Sequence, residues 1–109
     1  MSGAMFDPAA YAELQDTMGA DFATELLETF LAEAPAMLAD LRRATAAGDA
    51  EGFCRAAHSI KSNAVLFGAT ALADIARRME LGGLPTAAPD VMEAEYGRSG
   101  AALRNLLDG

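Results

Sequence analysis

The sequence predicts an all-α protein: an up-down-up-down antiparallel four-helix bundle with a short N-terminal capping helix. Three observations carry this expectation. Alanine, the strongest helix former, fills 26 of 109 positions, and β-branched residues are sparse. Apolar residues recur at steps of three and four, and nothing alternates with period two for long. Glycine, proline and aspartate sit at the edges of these stretches, where helices start and stop. The connections are short, so consecutive helices should run antiparallel.

Asp7-Pro8 reads as an N-cap followed by proline at the first helical position, where no backbone donor is lost. A short helix then runs to about Met18 with Tyr11, Leu14 and Met18 on one side, and Gly19 stops it. Asp21 opens the next helix. Its expected stripe is Phe22, Leu26, Phe30, Ala34, Met37 and Leu41, broadened by Leu27, Leu31 and Leu38. Pro35 lies inside it; the stripe stays in phase beyond, which predicts one kinked helix ending at Gly48. Asp49 caps a third helix whose seam is Phe53, Ala57, Ile60, Ala64 and Phe67, interrupted by Gly68. A fourth carries Leu72, Ile75, Ala76 and Met79 and ends near Gly82-Gly83. Leu84 to Ala88 read as a loop. Pro89 opens a fifth helix with Met92, Tyr96, Leu103 and Leu106 facing inward, its middle weakened by Gly97 and Gly100.

Composition narrows the function classes. At 109 residues there is room for one domain, expected over residues 7–109, with residues 1–6 a disordered or cloning-derived N-terminus. Sixteen acidic against eight basic side chains give a formal net charge of −8, which repels a phosphate backbone and argues against nucleic-acid binding. Cys54 is the single cysteine, so an internal disulfide and a four-cysteine zinc site are both excluded. No apolar run approaches membrane-spanning length, and no basic segment precedes an apolar one at the N-terminus. The expectation is a soluble cytoplasmic domain, monomeric because one chain already supplies a four-helix core.

The chain holds one histidine, His58, midway along the third helix. At about 100° per residue, the seam residues cluster within roughly 40° of one direction and His58 points about 140° away from it, toward water. Lys61 and Ser62, at i+3 and i+4, share its face, as do Cys54 and Val65. A lone surface histidine is ordinarily just a solvated side chain; the neighbours are what raise this one above that. Ser62 and Ala69 are small and leave the ring sterically open. Lys61 places a positive charge one turn away, able to offset a phosphoryl group of about −2 and to disfavour the imidazolium, so that the ring stays nucleophilic. Cys54, four residues before His58, has metal-ligand spacing, but no further histidine or cysteine completes a site, so no metal is expected. Cys54 reads instead as a small residue at the seam edge. Arg42-Arg43 and Arg77-Arg78 read as solvated charges, and the methionines as core filler.

The run Ala57-His58-Ser59-Ile60-Lys61-Ser62-Asn63-Ala64-Val65-Leu66-Phe67-Gly68-Ala69, followed by Leu72 and Arg78-Met79-Glu80, resembles the signature of histidine-containing phosphotransfer (HPt) domains. That signature has Ala-His, an aliphatic two residues on, lysine, a small residue, and Gly-Ala about ten residues after the histidine. The stretch from Phe22 to Asp49, with Phe30-Leu31-Ala32-Glu33-Ala34-Pro35 and the Ala47-Gly48-Asp49 turn, is similar to the helix preceding the histidine helix in that family. The last helix matches least. Ser62 departs from the glycine often found after the lysine.

The resemblance implies a four-helix phosphocarrier with no kinase or phosphatase machinery of its own. His58 would be the phosphoacceptor, attacking through Nε2. Lys61 would stabilise the phosphoryl group, and Ser62 would give clearance or a hydrogen bond. Gly68 would let the chain turn and pack closely. Cys54, Val65 and Ala69 would form the docking face for receivers. The partners would be receiver domains of a hybrid histidine kinase and of a response regulator. No cofactor is bound by the chain itself; Mg²⁺ would sit in the receiver. Positioning and charge neutralisation dominate phosphoryl transfer, which fits the lack of a Gly-rich nucleotide loop. The alternatives are a helical interaction module that binds receivers without being phosphorylated and, further off, a metal-binding bundle.

Overall fold

A computed structural model describes residues 7–82 and 89–108, which form five helices and, among these residues, no strand. They are α1 (Pro8–Met18), α2 (Ala20–Ala47), α3 (Ala50–Phe67), α4 (Thr70–Gly82) and α5 (Pro89–Asp108). The expected loop over 84–88 lies outside the described residues. No helix among those described is long and apolar enough to cross a membrane.

Most helix ends are set by the residues expected to set them; α2 is the exception, starting at Ala20 with Gly19 as its N-cap and Asp21 inside its first turn rather than opening it. Asp7 accepts the Ala9 amide at 3.1 Å, and Asp49 accepts the Gly52 amide at 3.0 Å. Each satisfies an amide that the first turn leaves unbonded. At the other ends, Gly48 and Gly68 adopt left-handed φ values of +69° and +78°. Behind Gly68, the Ala69 amide bonds the Ala64 carbonyl at 2.8 Å and the Gly68 amide bonds Val65 at 3.2 Å, the paired bonds of a Schellman stop.

The apolar stripes meet in one core. α2 touches α3 and α5, α4 touches α3 and α5, and α1 lies against α2 and α3. The α3 seam is buried at Phe53, Ala57, Ile60, Ala64 and Phe67, as its stepping predicted. Leu72, Ala76 and Met79 of α4 and Met92, Tyr96 and Leu103 of α5 complete it. Phe30 stacks on Phe67 at 5.8 Å and meets Tyr96 edge-on at 6.2 Å.

As expected, α2 runs as one helix across Pro35 and ends at Gly48, while its buried face needs correction. Phe30, Ala34 and Leu41 of the expected stripe are buried, with Leu27 from its edge; Ala23 and Ala44 join them, whereas Phe22 is 41% exposed and Leu26, Met37 and Leu38 pack only at the edge. Alanine carries too little apolar area to mark a stripe by itself, yet Ala23, Ala34 and Ala44 are all buried.

Candidate functional site

Helix phase places His58 where the sequence expected it. Its neighbours Ala57 and Ile60 face the core, and its own side chain is 57% exposed. The ring is not a free surface group, however. His58 Nδ1 lies 2.8 Å from Oε2 of Glu80, which reaches over from α4. The other oxygen of the same carboxylate, Oε1, lies 2.8 Å from Nζ of Lys61. One carboxylate thus spans the histidine and the lysine three residues after it.

The charge state of Glu80 follows from these contacts. Hydrogen bonds from Lys61 and then from His58 hold its carboxyl below the ordinary value of 4.5. An ionised carboxylate only accepts hydrogen bonds, so Nδ1 must be the donor. A neutral ring with its proton on Nδ1 carries its lone pair on Nε2, the nitrogen that Glu80 does not occupy.

The other expected site residues divide. Ser62 is exposed, one turn beyond His58, and Val65 is 61% exposed on the same side of α3. Val65 joins Leu66, Ala10, Leu14 and Met18 in lining a trough between α1 and α3 of about 380 Å³. Cys54 is half-buried and turned toward α4, its thiol 3.6 Å from the Glu80 carbonyl oxygen to which it donates. Ala69, expected on the docking face, is fully buried. Eleven residues after His58, it shares the histidine's face only if α3 continues, and Gly68 ends the helix first.

Gly68 closes the C-terminal end of the site's helix. A side chain there would run into the Asp7 carbonyl oxygen and come within 2.9 Å of the Ala10 methyl. The Asp7 amide donates to the Gly68 carbonyl at 2.7 Å, tying the start of α1 to the end of α3. The glycine therefore serves both the turn and the close seating of α1.

The arginine pairs are occupied in ion pairs. Arg42 binds Asp90 and Glu93, clasping α2 to α5, Arg43 binds Asp40, and Arg77 and Arg78 share Asp74. Among the described residues, no three histidine, cysteine or carboxylate side chains converge on a point that would hold a metal ion.

Glu80, which contacts both His58 and Lys61, is the residue that sequence reasoning left without a role. Its partner lies 22 residues away in the chain, so no local spacing joins them. The available signal was its place in the Arg78-Met79-Glu80 segment, beside the buried Met79 and on the edge of α4 next to α3.

Residues 25–109 match the Hpt domain family. Among solved structures the chain is similar to histidine-containing phosphotransfer protein B from Pseudomonas aeruginosa PAO1, with 30% identity, a TM-score of 0.73, and cover of 93% of this chain and 92% of that one. No curated protein matches it. With an outward imidazole on an all-helical scaffold and a family match over more than half its length, this chain belongs to the Hpt domain family.

Proposed function

We propose that this chain is a phosphorelay intermediate: His58 accepts a phosphoryl group from the aspartate of one receiver domain and passes it to another. The observation that carries the proposal is the His58–Glu80 contact, which engages Nδ1 of a ring 57% exposed and does not engage Nε2. In the transfer, the Nε2 lone pair forms the N–P bond while the bond from phosphorus to the aspartyl oxygen breaks, and the oxygen keeps the electron pair as a carboxylate. The proton on Nδ1 stays, and Glu80 balances the positive charge the ring acquires. The reverse sequence hands the group to the next receiver.

The remaining parts follow from position. Lys61 supplies positive charge beside the incoming phosphoryl group, and Ser62 leaves a partner room to approach. Val65 and the trough toward Met18 form the apolar surface on which a receiver docks. Short connections make α2 to α5 an up-down-up-down bundle, and α1 caps the end where Gly68 turns. The chain brings no kinase or phosphatase machinery, and Mg²⁺ comes with the receiver.

The test is incubation with a phosphorylated receiver and Mg²⁺. Acid-labile label should move to this chain and be absent from His58→Gln. Label that persists in that variant rejects His58 as acceptor. Receiver binding with no transfer, from every receiver tried, supports instead a module that binds without being phosphorylated.

A further inference from the structure

We propose that the apolar surface around Val65 and Met18 takes a receiver whose contact face is rimmed with lysine and arginine, and that carboxylates on α1 and the first turns of α2 steer that partner in. The inference rests on the reading of the chain as a relay intermediate and names the chemistry of its partner.

Three observations carry it. First, charge is unevenly spread along the chain. No lysine or arginine precedes Arg42, whereas eight carboxylates lie at or before Asp40. The eight carboxylates that follow balance the eight cations, so the whole formal charge of −8 belongs to the part that forms α1 and most of α2. Second, these carboxylates stand around exposed apolar side chains. Met18, Phe22, Val65 and Leu66 are all exposed at this end of the molecule. Met18, Val65 and Leu66 line the trough between α1 and α3, and Glu13 lines it with them. Phe22, across the Gly19 turn, lines a second hollow of about 370 Å³ on α2 with Leu26, Glu25 and Glu28. Third, the charge here is unopposed. Glu13, Asp16, Asp21, Glu25 and Glu28 are exposed, and among the described residues none of them forms an ion pair. Asp21 and Glu25 stand four apart, and Glu13 and Asp16, like Glu25 and Glu28, three apart; like charges at these spacings repel along one helix face. A cationic partner relieves that repulsion on binding.

Charge therefore decides the occupant. A second copy would set the same carboxylates against each other, and an anionic membrane or a nucleic acid would be repelled. Val65 lies two turns beyond His58, about 10 Å along the axis, so a partner seated on it reaches the ring. Complementary charge at the rim of a contact raises the association rate by about 10–10³-fold, and salt screens the gain.

The test follows transfer to the full chain from a panel of phosphorylated receivers, sorted by the charge of the surface around the phosphoaspartate. Ionic strength is varied from about 0.02 M to about 0.5 M. Receivers with a basic rim should react fastest, with a second-order rate constant that falls at least about tenfold over this range. Glu13→Gln, Glu25→Gln and Glu28→Gln together should slow the low-salt reaction about tenfold and flatten its salt dependence. Adding Ala94→Glu, Ala101→Glu and Asn105→Asp on the outer face of α5 restores the net charge but not the local field, so the rate should stay low. All six positions are exposed, and unchanged helical circular dichroism confirms folding. Transfer that ignores salt, equal rates from acid-rimmed receivers, recovery by the α5 substitutions, or self-association of the chain at low salt overturns the proposal. If basic-rimmed receivers bind with this salt dependence but none phosphorylates His58, the docking charge stands and the relay function fails.

Discussion

Glu80 ties a solvent-facing histidine to the neighbouring helix through a single side-chain contact. Its carboxyl is held below 4.5 by Lys61 and His58, and that of Asp74 below 3.8 by Arg78 and Arg77. The sign of the linkage follows. Folding favours the ionised forms, so these groups contribute stability above their ordinary values. On acidification the unfolded chain takes up protons that the folded one resists, and the contribution is lost as pH falls through the lowered folded values. Glu80→Gln should therefore melt below wild type at neutral pH, and the gap should close as pH drops below about 4.5. A gap unchanged down to strongly acidic pH, followed by thermal denaturation, contradicts the ionised bridge. The effect is modest, since exposed pairs contribute little. At this level His58 and Val65 were readable because helical periodicity alone decides which way a residue faces. Glu80 was not, because the register between two helices is a tertiary fact. Ala69 was misplaced because periodicity was carried past a residue that breaks it.

Among the helices, the ends were legible and the faces partly so. Asp7, Asp49, Gly48 and Gly68 announce caps and stops through chemistry that acts within a few residues. The face of α2 was less legible, because half of its buried residues are alanines and the larger Phe22 is 41% exposed. Gly68 is where one element constrains another. Gly68→Ala should cost about 1–3 kcal/mol for its left-handed backbone, and more because the added methyl displaces the start of α1. Chemical denaturation measures the loss, and hydrogen exchange should show α1 protected less than in wild type. Full protection of α1 in a folded Gly68→Ala protein contradicts the close seating described here.

Over the whole molecule, the radius of gyration is 13.8 Å, close to the roughly 13 Å expected for one folded body of 100 residues. One apolar cluster runs from Tyr11 in α1 to Leu103 in α5. Phe67 stands near its middle, fully buried and stacked on Phe30. Phe67→Ala should destabilise by about 3–5 kcal/mol in denaturant unfolding. A loss under 1 kcal/mol would mean that the ring is not in the core. The all-α class and this seam could be read from the sequence because burying apolar stripes leaves few alternatives for a chain of this size. The buried Glu95 could not. It lies on the inner half of α5, bonded by Ser99 at 2.7 Å and by Arg98, and its exposure depends on neighbours that no local pattern reveals.

The proposed relay rests on one arrangement: an imidazole whose Nδ1 meets Glu80, which leaves Nε2 for the phosphoryl group. Phosphorylating the chain with a phosphorylated receiver and locating phosphorus on the ring by NMR reads that arrangement directly. The structure predicts a phosphorus–nitrogen bond at Nε2 of His58, with Nδ1 still protonated against Glu80. Phosphorus on Nδ1, or on any other residue, contradicts it.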